Sequence, residues 1–189
     1  MSKVERTATR IAGFDSGEMD FQLMRSLGAA NYGGGASGEI FHARQAIAGD
    51  DPYAWPAVFD ALAQRAEQEG EHARQRGRLV SARAHFLRAS MYWRAAEYFS
   101  DPFDGQMVQR GLASRDTFVR ATGFMRDSVT TIEIQFEGTK LPGYFMRPAG
   151  STGRGRTVVI LTGFDGTAEE ALLSGGACRP GTRIQRVGR

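Results

Sequence analysis

The chain has 189 residues, 41% hydrophobic and 24% charged, the composition of one or two globular domains with real cores. No apolar stretch approaches the roughly 20 residues that span a bilayer, and the start holds no apolar run for a secretion signal. A cytoplasmic protein without a membrane partner is expected. The net charge of +3 sits in one place: after Glu170 the chain holds Arg179, Arg183, Arg186 and Arg189 and no acid. Without those four, 20 basic residues face 21 acidic ones, so the body of the chain is not built for nucleic acid.

Up to about Arg126 the pattern is helical. Phe21 to Leu27 fits a short first helix. The loop Tyr32-Gly33-Gly34-Gly35-Ala36-Ser37-Gly38 follows, with Ser37 placed to cap a helix whose Ile40, Phe41, Ala43 and Ile47 share a face. Asp51-Pro52 signals another start, and a long helix over Trp55 to Arg76 turns Val58, Leu62 and Ala66 inward. From Ser81 to Phe99, Ala82, Phe86, Ala89, Trp93 and Ala96 recur at helical spacing, with Arg83, Arg94 and Glu97 expected to face away. Asp104 opens a last helix with Met107, Val108, Leu112, Phe118 and Val119 as its core.

At Ser128 the period changes to two. Ile132, Ile134 and Phe136 alternate with Thr131, Glu133 and Gln135, and Glu137 to Lys140 make a turn into a second strand, LPGYFMRP. After the loop AGSTGRG, the unbroken run Val158 to Leu161 predicts a strand covered on both faces. It leads into Gly163-Phe164-Asp165-Gly166, a loop bracketed by glycines that let backbone approach a ligand. An ordinary strand-to-helix turn, with Thr167 capping the next helix, fits the same residues.

The YGGGASGE loop, the aromatic-alanine helices ending in AAEYFSDP, the hairpin IQFEGTKLPGYFMRP and the segment VVILTGFDGTAEE occur in an order that resembles an α/β-hydrolase with a helical region ahead of its catalytic sheet. The resemblance runs from Phe21 to Glu170, toward the group of 2,6-dihydroxypseudooxynicotine hydrolase and related dipeptidyl-aminopeptidase-like or acyl-peptidase-like enzymes. It implies a mainly α cap region over 1–127 and the first strands of an incomplete α/β-hydrolase sheet over 128–170. It implies an oxyanion loop at Gly163, Phe164 and Asp165, with the Phe164 N–H as donor. It implies a small-molecule substrate and hydrolysis of an ester, amide or activated C–C bond, and it allows a homo-oligomer.

The resemblance also implies a serine nucleophile in G-x-S-x-G, then an acid and a histidine, and these 189 residues contain no such elbow. His42, His72 and His85 all precede the strands, in helices. No turnover by this chain is expected, and neither a cofactor nor a metal site is indicated: the one cysteine, Cys178, lies near the end. Residues 171–189 read as a disordered basic tail of frameshift origin, because one base out of frame their codons permit a helix and an apolar strand. An uncovered strand at Val158 to Leu161 would make such a product poorly soluble. Residues Trp55 to Phe99 also fit a non-enzymatic helical-hairpin interaction module, although no second copy follows. Tyr32, Gly33 to Gly35 and Glu39 fit either a cleft lining or a solvated loop with Glu39 near a helix start.

Overall fold

The computed structural model describes residues 13–175. Its helices are α1 (Gly17–Ala29), α2 (Ser37–Ala46), α3 (Trp55–Gln75), α4 (Leu79–Tyr98), α5 (Gln106–Thr122) and α6 (Ala168–Gly175). Strands β1 (Ser128–Phe136) and β2 (Thr139–Arg147) form an antiparallel hairpin between α5 and α6. The architecture is a helical region followed by a partial sheet.

Helices α3 and α4 form the centre. Trp55, Phe59, Ala63, Ala66, Gly70 and Ala73 make one stripe along α3, and Ala82, Phe86, Ala89 and Ala96 make the facing stripe of α4. Small residues between aromatics let the two axes approach. Of the predicted α3 positions Ala66 is buried, whereas Val58 and Leu62 sit at the margin of the stripe. The aromatic knobs Trp55 and Phe59 set the face one step further round the helix.

Gly70 shows how tight this seam is. A Cβ built there would lie 2.8 Å from the Phe86 ring, which stacks on Phe124 at 6.1 Å and has the Arg120 guanidinium 4.1 Å from its centroid. Gly70→Ala gains up to about 1 kcal/mol of helix propensity. Held on both sides, the ring has little room to yield, and overpacking costs roughly 1–3 kcal/mol. Chemical denaturation of G70A is therefore expected to show a net loss; a gain in stability would mean that the ring moves freely.

Helix α5 is buried on a polar face. Arg110, Ser114, Thr117, Phe118 and Ala121 are buried, while Val108, Leu112 and Val119 are exposed, which reverses three of the five predicted core positions. Each buried polar group has a partner. Arg110 pairs with Asp60, Ser114 meets Ser90 Oγ at 3.3 Å, and the Thr117 hydroxyl donates to the Ala113 carbonyl at 2.7 Å. Satisfied groups of this kind can be buried at low cost.

The hairpin turns at Glu137-Gly138, both at positive φ, the two-residue geometry that matches strand twist. Its register pairs Ile132 with Gly143 and Phe136 with Thr139. Ile132, Ile134 and Phe136 alternate as predicted but stay exposed.

Residues Val158 to Leu161 form no strand and all four are exposed. The expected buried strand is therefore not present among the described residues. A strand exists only through hydrogen bonds to a neighbour, and β1 and β2 pair only with each other. Helix α6 runs past Glu170 to Gly175, so the first part of the predicted tail is helical. Residues 176–189, with Cys178 and the arginines assigned to disorder and frameshift, lie outside the described residues. No helix among the described residues is long and apolar enough to cross a membrane.

Candidate functional site

Thr167 and Glu170 build the entrance to α6. The Glu170 N–H donates to Thr167 Oγ1 at 3.3 Å, and Glu170 Oε2 accepts from the Thr167 N–H at 3.1 Å. This reciprocal pair is the capping box that T-x-x-E encodes, so the predicted cap at Thr167 is present.

The four residues before it form a turn in which the Gly166 N–H donates to the Gly163 carbonyl at 3.3 Å. A trans peptide is planar, so a carbonyl turned inward sends the N–H of the same peptide outward. That N–H belongs to Phe164. No acceptor among the described residues takes it, and the Phe164 side chain is fully exposed.

Two arginines converge on this turn from the helical region. From α1, Arg25 donates through Nε and Nη2 to both Glu170 carboxylate oxygens at 2.9 Å. Its Nη1 reaches Asp165 Oδ2 at 2.6 Å, and Nη2 the Asp165 carbonyl at 3.2 Å. From α4, Arg94 donates through Nη2 to the same carbonyl, through Nε to Glu170 at 3.3 Å and through Nη1 to Glu97 at 3.3 Å. Burial draws the Arg25 pKa down, but Glu170 and Asp165 outweigh it and the net direction is up. The hydrogen bond from Arg25 holds the Asp165 carboxyl below its usual range. Arg94 was expected to face solvent; it is buried, because α4 is covered on nearly every side. Beside the two guanidinium groups lies a small cleft of about 30 Å³, with Gln22, Ser26, Met91 and Tyr98 in its walls.

Glu97 closes the acidic side of this cluster. Burial pushes its carboxyl up; Arg94 opposes, and Glu170 and Glu169 add to the rise. A raised folded pKa makes a contribution present in full below the unfolded value and lost as pH rises through the folded one. Glu97 is therefore expected to subtract stability as pH rises above the ordinary carboxylate range, so Glu97→Gln should gain on wild type as pH rises and melt no lower at pH 7. Thermal melts between mildly acidic and neutral pH check it; a steeper fall in E97Q would reject it.

The remaining sequence candidates lie elsewhere. Glu39 accepts from the Tyr92 hydroxyl at 2.7 Å, and that hydroxyl accepts from the Ala36 N–H at 2.9 Å. These bonds tie Glu39 to Tyr92, while 37% of its side chain stays exposed. Gly34 serves close packing: a Cβ there would stand 2.6 Å from Leu173 and 2.7 Å from Met91. Ser37 is the first residue of α2, and the cap position falls to Ala36. His42 and His72 are exposed, and His85 meets Arg88 at 2.7 Å; none touches the 163–166 turn among the described residues. The described residues hold no group of three or more metal-ligating side chains. Arg25 and Arg94 were not found from sequence, although T-x-x-E marks Glu170 as a fixed anion that needs a partner.

No family model matches the chain. Over 165 residues it is 36% identical to the alpha/beta hydrolase xenA of Xenoacremonium sinensis and 35% identical to the alpha/beta hydrolase pydG of an Acremonium species. Each match covers 85% of this chain and 39% of the relative, so the chain spans about two-fifths of the curated relatives it matches. Its fold is similar to that of a crystal structure of 2,6-dihydroxy-pseudo-oxynicotine hydrolase, with a TM-score of 0.53 at 19% identity, over 67% of this chain and 34% of the other. Over 85% of its length the chain is thus similar in sequence to part of the curated alpha/beta hydrolases, and its helical region leading into a partial sheet is similar to the fold of that crystal structure.

Proposed function

We propose that these residues supply a helical cap, a first hairpin and half of an oxyanion hole to a hydrolase that cleaves an ester, amide or activated C–C bond of a small molecule. The observation that carries the reading is the outward, unaccepted N–H of Phe164 on the turn Gly163–Gly166. When a nucleophile attacks a carbonyl, negative charge gathers on its oxygen, and a donor fixed before the reaction stabilises that charge without having to reorganise. Gly163 and Gly166 keep side chains out of the approach.

The catalytic sheet begins, on this reading, at Ser128. The nucleophile, acid and base would come from the part of the relatives that these residues do not span, and the 189 residues alone would not turn over. An oxyanion donor without an attacking group polarises a carbonyl but forms no acyl intermediate.

The test is a chimera in which residues 13–170 replace the matching stretch of the Xenoacremonium relative, assayed with p-nitrophenyl acetate. Hydrolysis is expected from the chimera and none above buffer from the 189-residue chain. Phe164→Pro removes the N–H, and loss of one such donor lowers kcat by about 100-fold or more. Turnover by the isolated chain, or full activity in the folded F164P chimera, would reject the proposal.

A further inference from the structure

We infer that Arg25 and Arg94 are positioning residues: the helical region aims the Phe164 N–H by gripping the Asp165 carbonyl from two sides. The inference rests on the reading of Phe164 above and adds what fixes its direction.

Two rigid peptide planes link the arginines to that donor. Both guanidinium groups donate to the Asp165 carbonyl. The Asp165–Gly166 peptide is planar, so fixing its oxygen fixes the Gly166 N–H on the opposite edge. That N–H holds the Gly163 carbonyl at 3.3 Å. The Gly163–Phe164 peptide is planar in turn, so the Phe164 N–H is fixed as well. Without the grip, a turn with glycine at both ends has too much φ/ψ freedom to keep one direction. Arg25 and Arg94 also hold Glu170, the carboxylate of the capping box, so turn and helix start move as one body.

The chemistry favours arginine over lysine. Each guanidinium uses Nε, Nη1 and Nη2 at once: Arg25 on Glu170 and Asp165, Arg94 on Glu170, Glu97 and Asp165. An ammonium carries its donors on a single nitrogen and cannot span those acceptors. Nor is Arg94 only a core filler, since its Nη2 reaches a backbone carbonyl 71 residues further along the chain.

Hydrogen–deuterium exchange of the full 189-residue chain tests the grip directly. In Arg94→Gln, amides over 163–171 are expected to exchange on the order of tenfold faster while α3 is unchanged, the signature of local opening. Arg94→Lys should restore little of the protection. If Arg94→Gln loosens the whole helical region, Arg25→Gln decides, because Arg25 sits nearer the surface. Unchanged exchange over 163–171 in both variants would overturn the grip. In the chimera, Arg25→Gln is expected to lower kcat about as far as Phe164→Pro while KM holds. Opened loops with undiminished kcat, in a chimera that F164P does impair, would overturn the positioning role. If F164P also leaves kcat intact, it is the oxyanion reading that falls, and the grip stands as structure alone.

Discussion

Replacing Trp55 with alanine is expected to destabilise the chain by about 3–5 kcal/mol, the cost of emptying a large aromatic site in a packed core. Trp55 is fully buried at the first turn of α3. Its ring stacks on Phe59 at 4.5 Å and meets Phe99 at 5.2 Å and Phe14 at 5.8 Å. Its Nε1–H donates to the Ala95 carbonyl at 2.9 Å. The side chain therefore joins the segment before α1, the start of α3 and the end of α4. In a domain this size each kcal/mol moves Tm by roughly 2–4 °C, so a drop near 10 °C is expected in W55A. Phe keeps most of the ring and loses the indole donor, so W55F should fall well short of that. Calorimetry decides; a W55A shift under 3 °C would mean that the site collapses and refills.

The second large effect is at Asp60. Arg110 donates to its two carboxylate oxygens at 2.9 and 2.7 Å, and also reaches Ser100 Oγ at 2.8 Å and Gln106 Oε1 at 2.9 Å. Removing the carboxylate strands a largely buried guanidinium. Breaking a fully buried pair this way costs about 3–5 kcal/mol. Asp60 keeps 21% of its side chain exposed, and solvent screens part of the interaction, so about 2–3 kcal/mol is expected for Asp60→Ala. The double variant Asp60→Leu with Arg110→Met removes both charges and should recover most of the loss. Urea denaturation of the single and double variants measures the difference. Equal losses in both would place the cost in packing and not in the stranded charge.

Periodicity made α3 and α4 legible because long amphipathic helices repeat their pattern often enough to average out single exceptions. It failed at α5, where Val108, Leu112 and Val119 are exposed and the buried face is polar. A rule that sends apolar residues inward cannot see that Asp60 and Ser90, distant in sequence, satisfy Arg110 and Ser114. Arg94 escaped for the same reason: two of its three acceptors, the Asp165 carbonyl and Glu170, lie 71 and 76 residues away. The cap at Thr167 was legible because its chemistry is local. The run Val158 to Leu161 was read as a covered strand, but hydrophobicity gives no partner, and pairing needs one. The relation to the α/β-hydrolases came from the order of several weak motifs, which together fixed more than any local pattern did.

The arrangement of the two apolar clusters sets an order of events during synthesis. The first draws on Phe14, Met19, Ile40, Trp55, Phe59 and Tyr92, with Phe99 at its edge, and every member lies within the first hundred residues. The hairpin and α6 touch only the margin of the second, through Tyr144, Leu172 and Leu173. In a chain growing on the ribosome, all the residues of this first core are joined before Ser128 is added. The hairpin and α6 follow, and only with them do Arg25 and Arg94 gain Asp165 and Glu170 as partners.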